Sequence, residues 1–159
     1  MGYSPKEVVD MAVEIEETGY HFYSECAKKF DSKNLKTLFE FLAEEELRHK
    51  DIFETLFKEV KIAEGVFTDE YYQYLNIISG QRIFKDSKAP SLALQGVETS
   101  QDALSMALLA EKDSILFYYE LMDMQGSDPE MVSILKKIIN EERKHIILLM
   151  DTRDKLPRS

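Results

Sequence analysis

The chain has 159 residues, of which 44% are hydrophobic, and its 30 acidic residues outnumber 20 basic ones to give a net charge of −10. That length suits one domain with a sizeable core, and the apolar content argues against disorder. The negative charge excludes the usual basic kind of nucleic-acid-binding protein. The single cysteine, Cys26, excludes an internal disulfide and a four-cysteine metal cage.

Four long amphipathic segments predict four helices, and we expect residues 1–159 to form one domain. Helix one opens at Pro5, with Ser4 as its cap, and runs to about residue 30. Helix two runs from about 33 to 60, helix three from about 100 to 125, and helix four from about 129 to 153. Ser100 and Asp128 are the predicted caps of helices three and four, and Gly126 ends helix three.

The connection between helices two and three covers about residues 61–99, and its segment TDEYYQYLNIISGQRIF predicts a short extra helix. The other two links are short, so helices one and two, and helices three and four, should form antiparallel hairpins. The predicted fold is therefore an all-α four-helix bundle with one long crossover. We find no signal sequence and no run of about 18 apolar residues, so we expect a cytoplasmic protein that does not span a membrane.

Ionisable residues interrupt the apolar stripe of each long helix. Positions spaced alternately four and three face the centre of a bundle. In helix two such a stripe runs from Leu35 to Val60 and is apolar except for one glutamate and one histidine. Helix four repeats this pattern, and helices one and three each carry one glutamate. These six residues are Glu16, Glu46, His49, Glu111, Glu142 and His145.

The two halves of the chain resemble each other. EETGYHFYSE matches EKDSILFYYE at an offset of 95 residues, and AEEELRHKDIF matches INEERKHIILL at an offset of 96. Each half is a helix with one glutamate followed by a helix with Glu-x-x-His. Packed about a pseudo-twofold axis, the halves bring four carboxylates and two imidazoles together.

This set of side chains predicts a site for two metal ions. Residues at i and i+3 lie on one helix face, so each Glu-x-x-His grips one ion. Glu46 and Glu142 are the predicted bridges, and Glu16 and Glu111 close the outer faces. Mixed carboxylate and imidazole ligands favour iron or manganese. One Glu-x-x-His alone would indicate an ordinary solvated face, but six buried ionisable groups without a metal would be strongly disfavoured.

Further residues near the six have weaker assignments. Tyr23 and Tyr118 each lie seven residues after a single glutamate, which suits a core tyrosine, a hydrogen bond to a ligand carboxylate, or a redox role. Tyr119 is a rival to Tyr118. His21 is off the stripe and is interpreted as a surface or inter-subunit histidine, and Cys26 as a small core residue. The neighbouring acids Glu44, Glu45 and Glu141 are interpreted as solvated or as supporting the ligands.

With these residues the chain resembles the rubrerythrin and ferritin-like di-iron carboxylate superfamily. The resemblance is carried by Glu16, by ELRH at 46–49, by Glu111 and by ERKH at 142–145, and it spans about residues 5–153 without the crossover. It implies a ferritin-like bundle with two iron ions, or manganese or a mixed pair. Rubrerythrins carry a further glutamate where this chain has Ser114, so the six-ligand set is closer to that of bacterioferritin.

The resemblance implies an oxidoreductase that reduces hydrogen peroxide or dioxygen, as in protection against oxidative stress. Rubrerythrins typically add a rubredoxin-like domain, but this sequence has no Cys-x-x-Cys, so we expect a separate electron donor such as rubredoxin or a reductase. We also expect a homodimer. One alternative is a ferroxidase or iron-handling protein. Another is a non-enzymatic, metal-stabilised interaction module whose surface is the aromatic crossover.

Overall fold

The helices of the chain match the predicted pattern. The computed structural model of the chain describes residues 5–59, 68–79, 94–124 and 128–157. These residues form helices and connecting loops, with no strand among them. The helices are α1 (Pro5–Lys29), α2 (Lys33–Glu59), α3 (Asp69–Ile78), α4 (Ser100–Met124) and α5 (Pro129–Lys155). The prediction of an all-α bundle is confirmed, and that of a single domain stays a prediction.

The two long helix pairs are closely similar hairpins. Helix α1 packs along α2, and α4 packs along α5, while α1 also contacts α4 and α2 contacts α5. Both first helices have 25 residues and both second helices have 27. The link from α1 to α2 has three residues and the link from α4 to α5 has four. This one-residue difference explains why the repeat offset changes from 95 to 96 between the first and the second helix of each pair.

Helix caps show one correction to the sequence prediction. Asp128 caps α5 as predicted, since its Oδ1 accepts hydrogen bonds from the N–H groups of Glu130 and Met131 at 3.0 and 3.2 Å. The predicted cap of α4, Ser100, is wrong, because Ser100 is already helical and Thr99 is the cap. Thr99 Oγ1 accepts from the Asp102 N–H at 3.1 Å, and Asp102 Oδ2 accepts from the Thr99 N–H at 2.9 Å.

The reason for this correction lies three residues further on. A capping box needs an acceptor at the third residue after the cap. Asp102 stands there for Thr99, whereas Ala103 stands there for Ser100 and offers no acceptor. The predicted cap Ser4 and the predicted helix end Gly126 lie outside the described residues, as does Val60 at the end of the α2 stripe.

The short helix α3 lies in the crossover and packs against α4. Thr68 caps it, and Leu75 and Ile78 are buried in the core. The Tyr71 hydroxyl donates a hydrogen bond to Glu120 of α4 at 2.6 Å. Residues 80–84, which end the predicted extra-helix segment, lie outside the described residues. None of the described helices is both long and apolar enough to cross a membrane.

The core consists of two apolar clusters separated by a polar layer. One cluster includes Val9 of α1, Phe53 of α2 and Met131 of α5, and the other includes Phe39 of α2 and Leu104 of α4. The predicted stripes account for this packing, since their described members are buried or half-buried. Apolar burial of this kind contributes about 25 cal/mol per Å² to folding. The ionisable residues lie between the two clusters, near the middle of each long helix.

Candidate metal centre

All six residues predicted as metal ligands meet in this polar layer. Each of them is buried, with no more than 4% of its surface exposed. One comes from α1, two from α2, one from α4 and two from α5, as the pseudo-twofold arrangement requires. The six are Glu16, Glu46, His49, Glu111, Glu142 and His145. That they bind metal is a proposal, developed below.

The six residues form two overlapping groups of potential ligands. The first group is Glu16, Glu46, His49 and Glu142, and the second shares Glu46 and Glu142 with it and adds the other glutamate and histidine. In each group, one ligand atom per residue lies within 4.8 Å of every other. The shared residues are the two predicted bridges, so the geometry suits two ions held side by side.

Both histidines turn their Nδ1 atoms toward the centre of the site. His49 Nδ1 lies 2.9 Å from Glu142 Oε1 and 3.5 Å from Glu16 Oε2. His145 Nδ1 lies 3.1 Å from Glu142 Oε2 and 3.7 Å from Glu111 Oε2. The Nε2 atoms point away from the centre, toward a second layer of carboxylates. Nδ1 is therefore the nitrogen that each histidine offers to an ion.

Unpaired buried atoms show that a cation fits this site. Among the described residues, Glu16 Oε2, Glu46 Oε1, His49 Nδ1 and Glu142 Oε1 are buried and make no aligned hydrogen bond. These are one atom from each member of the first ligand group. His49 Nδ1 and Glu142 Oε1 are 2.9 Å apart but are not oriented as donor and acceptor. Because a buried polar atom without a partner costs free energy, a metal ion between these four atoms would stabilise the fold.

The pKa values indicate how the side chains balance charge without metal. Burial and the neighbouring carboxylates raise the pKa values of Glu46 and Glu111 well above their ordinary range. Burial alone would lower the histidine pKa values, but the surrounding glutamates outweigh it and raise them to about 11 for His49 and about 10 for His145. Burial alone would raise the pKa of Glu142, but hydrogen bonds and the histidines lower it. Protons thus take the place of cations in the metal-free site.

Two tyrosines make reciprocal hydrogen bonds across the centre. Tyr23 of α1 donates to Glu111 Oε1 of α4 at 2.5 Å, and Tyr118 of α4 donates to Glu16 Oε1 of α1. Burial and nearby glutamates raise both tyrosine pKa values, so the hydroxyls remain donors. Each bond occupies one carboxylate oxygen and leaves Oε2 facing the site. The rival, Tyr119, lies outside the centre, where it is exposed and accepts a hydrogen bond from Arg143.

Gly19 allows the carboxylate of Glu46 to lie against the backbone of α1. A Cβ atom at Gly19 would stand 3.0 Å from Glu46 Cδ and 3.2 Å from Cγ, and closer still to Oε2. No L side chain fits that space without moving the predicted bridge. This requirement was missed in the sequence, although a glycine on the apolar stripe of a helix is a signal of close approach.

The two acids that precede the bridges form an outer layer of the site. Glu141 Oε2 lies 2.9 Å from His49 Nε2, and Glu45 Oε2 lies 3.8 Å from His145 Nε2. Arg48 donates to both carboxylates at 2.8 Å and lowers the pKa of Glu45 by its hydrogen bond. Glu141 therefore supports a predicted ligand, Glu45 is bonded by Arg48, and Glu44 is exposed. The Glu-Glu doublet ahead of each x-x-His was the available sequence signal.

Arg48 also accounts for a third group of potential ligands. Glu45, His49 and Glu141 have ligand atoms within 4.8 Å of one another. The guanidinium already lies between the two carboxylates, so a cation is present there as part of the chain. We therefore assign this group to support of His49 and not to a third ion.

A small cavity lies beside the centre, between α1, α4 and the end of α3. Its volume is about 20 Å³, enough for one water-sized molecule. Glu46, Glu111 and Tyr23 line its inner wall, and Ile78 and Ser79 lie on the side of α3. Ser114, which also lines the cavity, donates its hydroxyl hydrogen bond to the Ala110 carbonyl at 2.9 Å.

His21 and Cys26 lie outside the centre. The His21 side chain is half-buried on α1, with its Nε2 atom 3.9 Å from Glu17 Oε1. Cys26 is buried in one of the apolar clusters, and burial raises the pKa of its thiol to about 12. A thiol with so high a pKa is a poor nucleophile and metal ligand.

Comparison with known proteins agrees with the fold. The family model described as Rubrerythrin matches residues 7–152. The chain is also similar to a candidate ferritin-like diiron-carboxylate protein from Thermotoga maritima, with a TM-score of 0.75 and 24% identity over 98% of this chain and 97% of that one. At 24% identity, this structural similarity shows a shared fold and nothing more specific. No curated protein matches the chain. The chain belongs to the rubrerythrin family.

Proposed function

We propose that this protein is a di-iron oxidoreductase that reduces hydrogen peroxide or dioxygen. One observation carries the proposal: two four-residue ligand groups share Glu46 and Glu142 inside an apolar core. Four carboxylates match the charge of two divalent ions, and oxygen and nitrogen ligands suit iron or manganese. When bound, two ferrous ions would together supply the two electrons that convert one hydrogen peroxide, with two protons, into two water molecules.

The side chains of the chain supply metal binding, space for a small reactant and exclusion of water. Glu16, Glu46, His49 and Glu142 would hold one ion, and Glu111 and His145 would complete the set around the other. The cavity beside Glu46 and Glu111 is large enough for one small reactant. Apolar packing above and below the polar layer keeps bulk water away.

Tyr23 holds Glu111 in place beside the cavity in this proposal. The residue lines the cavity and its hydroxyl donates to Glu111 Oε1 at 2.5 Å, so it fixes that carboxylate next to the reactant. Tyr118 holds Glu16 in the same way but is not among the residues that line the cavity. The two tyrosines therefore play different parts in spite of the internal symmetry.

The reducing electrons come from a separate donor protein, such as rubredoxin or a reductase. The sequence contains one cysteine, too few for a cysteine-ligated iron centre beside the carboxylate site. We also propose that the protein works as a homodimer. Light scattering or sedimentation of the purified chain measures this directly.

The central experiment is metal analysis followed by rapid mixing. Protein purified without oxygen should hold two iron ions per chain, and the reduced form should react with peroxide or dioxygen faster than free ferrous ion does. A matched variant with His49→Gln and His145→Gln should lose both the metal and the reaction. If the reduced wild-type protein reacts with neither oxidant faster than free ferrous ion, the redox function is wrong.

A ferroxidase is the second candidate, and Ser114 favours it. The position where rubrerythrins carry a further glutamate holds a hydroxyl that is bonded to the backbone, so it offers no seventh ligand. Ferroxidase function predicts many iron ions per chain and a large hollow assembly, both absent for the peroxide-reducing enzyme. Tight binding of zinc without any redox reaction would instead support the interaction module.

A further inference from the structure

The sequence repeat makes the two histidine positions equivalent, but the outer layer does not. At the offset of 96 residues, Glu45 corresponds to Glu141, and Arg48 corresponds to Lys144. Arg48 is half-buried between α2 and α5, whereas Lys144 is exposed. One guanidinium therefore serves both halves of the site from one side.

The two histidines receive unequal support from the outer carboxylates. His49 Nε2 lies 2.9 Å from Glu141 Oε2, which is hydrogen-bonding distance. His145 Nε2 lies 3.8 Å from Glu45 Oε2, which is too far. Arg48 bonds both oxygens of Glu45, through Nε at 3.2 Å and Nη2 at 2.8 Å, and its Nη2 also lies 3.4 Å from His49 Nε2.

We propose that Arg48 makes the two metal positions unequal, so that the ion held by His49 binds first and more tightly. Arg48 steadies Glu141 on His49 and holds Glu45 away from His145. A carboxylate that accepts the outer N–H of a histidine fixes the tautomer with a free inner nitrogen and makes that nitrogen a better ligand. His49 has such a partner and His145 has not. Arg48, Glu45 and Glu141 are thus positioning residues.

The inference rests on the metal site of the proposed function but not on its reaction. Its test is a titration of the metal-free full chain with Co²⁺ alone, followed by visible absorption and a competing chelator. We expect two binding steps whose dissociation constants differ by about tenfold or more, the effect of one outer partner on metal affinity. If the wild-type chain binds no Co²⁺, the assignment of the metal site is wrong, and so is the proposed function that depends on it.

The decisive comparison uses two isosteric variants at equivalent repeat positions. Glu141→Gln should weaken the tighter step by about 10- to 100-fold. Glu45→Gln should change the tighter step by less than about threefold, because Glu45 does not bond either histidine. Equal weakening by the two variants would overturn the proposal while leaving the metal site and the oxidoreductase function intact.

Variants of Arg48 test the cause of the inequality. Arg48→Gln frees Glu45 to approach His145, so the two steps should converge to within about threefold of each other. Arg48→Lys keeps the charge but loses the fork that bonds both oxygens of Glu45, so it should also bring the steps together. Lys144→Gln removes the same charge at the equivalent position and should leave both steps unchanged. A wild-type ratio of the two steps in Arg48→Gln would refute the role of Arg48.

Discussion

Replacement of Gly19 by alanine tests the position of the predicted bridge. The new Cβ atom would lie 3.0 Å from Glu46 Cδ, closer than carbon atoms pack, and closer still to Oε2. Restoring ordinary contacts moves the carboxylate by about 0.5–1 Å, since carbon atoms prefer separations of about 3.5–4.0 Å. Metal–ligand distances tolerate only about 0.2 Å of error. Because Glu46 belongs to both ligand groups, both ions should bind more weakly, by at least about tenfold.

The stability of the metal-free protein should change much less. Alanine in a helix interior is favoured over glycine by about 1 kcal/mol. Overpacking of a filled core costs about 1–3 kcal/mol. The difference predicts that the free energy of unfolding falls by about 0–2 kcal/mol in the absence of metal. The variant should therefore fold and still bind metal poorly.

Metal affinity by chelator competition and urea unfolding with and without metal measure the two effects separately. Ser114→Ala is the control, because Ser114 stands at the position equivalent to Gly19 in the repeat and also lines the cavity. It should bind two ions with wild-type affinity. If Gly19→Ala also binds two ions per chain with wild-type affinity, Glu46 does not bridge them from its present position.

Three further outcomes are expected. Tyr118→Phe should lower the free energy of unfolding by about 1–3 kcal/mol, because it removes a buried hydrogen bond to Glu16, whereas Tyr119→Phe at an exposed position should change it by less than about 0.5 kcal/mol; urea unfolding compares the two, and equal effects would contradict the assignment. In metal-free protein the pKa values of about 11 and about 10 for His49 and His145 exceed the ordinary value of about 6.5, so their stabilising contribution is complete below pH 6.5 and is lost as the pH rises toward 10–11. Unfolding of metal-free protein at pH 8.5 should therefore require at least about 1 kcal/mol less than at pH 6.5, and a flat profile would contradict these pKa directions. Chelation of bound metal should lower the melting temperature. Addition of metal to the metal-free protein at pH 7 should release protons, and calorimetry in buffers of different ionisation enthalpy counts them.

The sequence predicted the fold well because one regular signal specified it. Apolar residues at alternating spacings of four and three defined each stripe, and short links defined each hairpin. Glutamates and histidines on those stripes had to meet, since a bundle has one interior. The same reasoning separated Glu46 from Glu44, which the structure finds buried and exposed, respectively.

Other features depend on distances between side chains, which the spacing of apolar residues along a helix does not specify. Thr99 and Ser100 are both good caps, and only the position of Asp102 distinguishes them. The spacing of Tyr23 and Tyr118 suggested a bond to some carboxylate but not that each would bond the glutamate of the other hairpin. The sequence pattern places Arg48 on the solvent-facing side of α2. Its partners Glu45 and Glu141 become neighbours only when α5 packs against α2.

Each ion of the proposed pair would take three ligands from one hairpin and one from the other. The hairpin of α1 and α2 supplies Glu16, Glu46 and His49, and it receives Glu142 from the hairpin of α4 and α5. The second ion would take three ligands from the hairpin of α4 and α5 and one, Glu46, from the hairpin of α1 and α2. Separation of the two hairpins would therefore break both ion sites and both tyrosine bonds in one event. Amide hydrogen exchange in both hairpins would then report one opening reaction, whose free energy includes the affinity of the site for both ions.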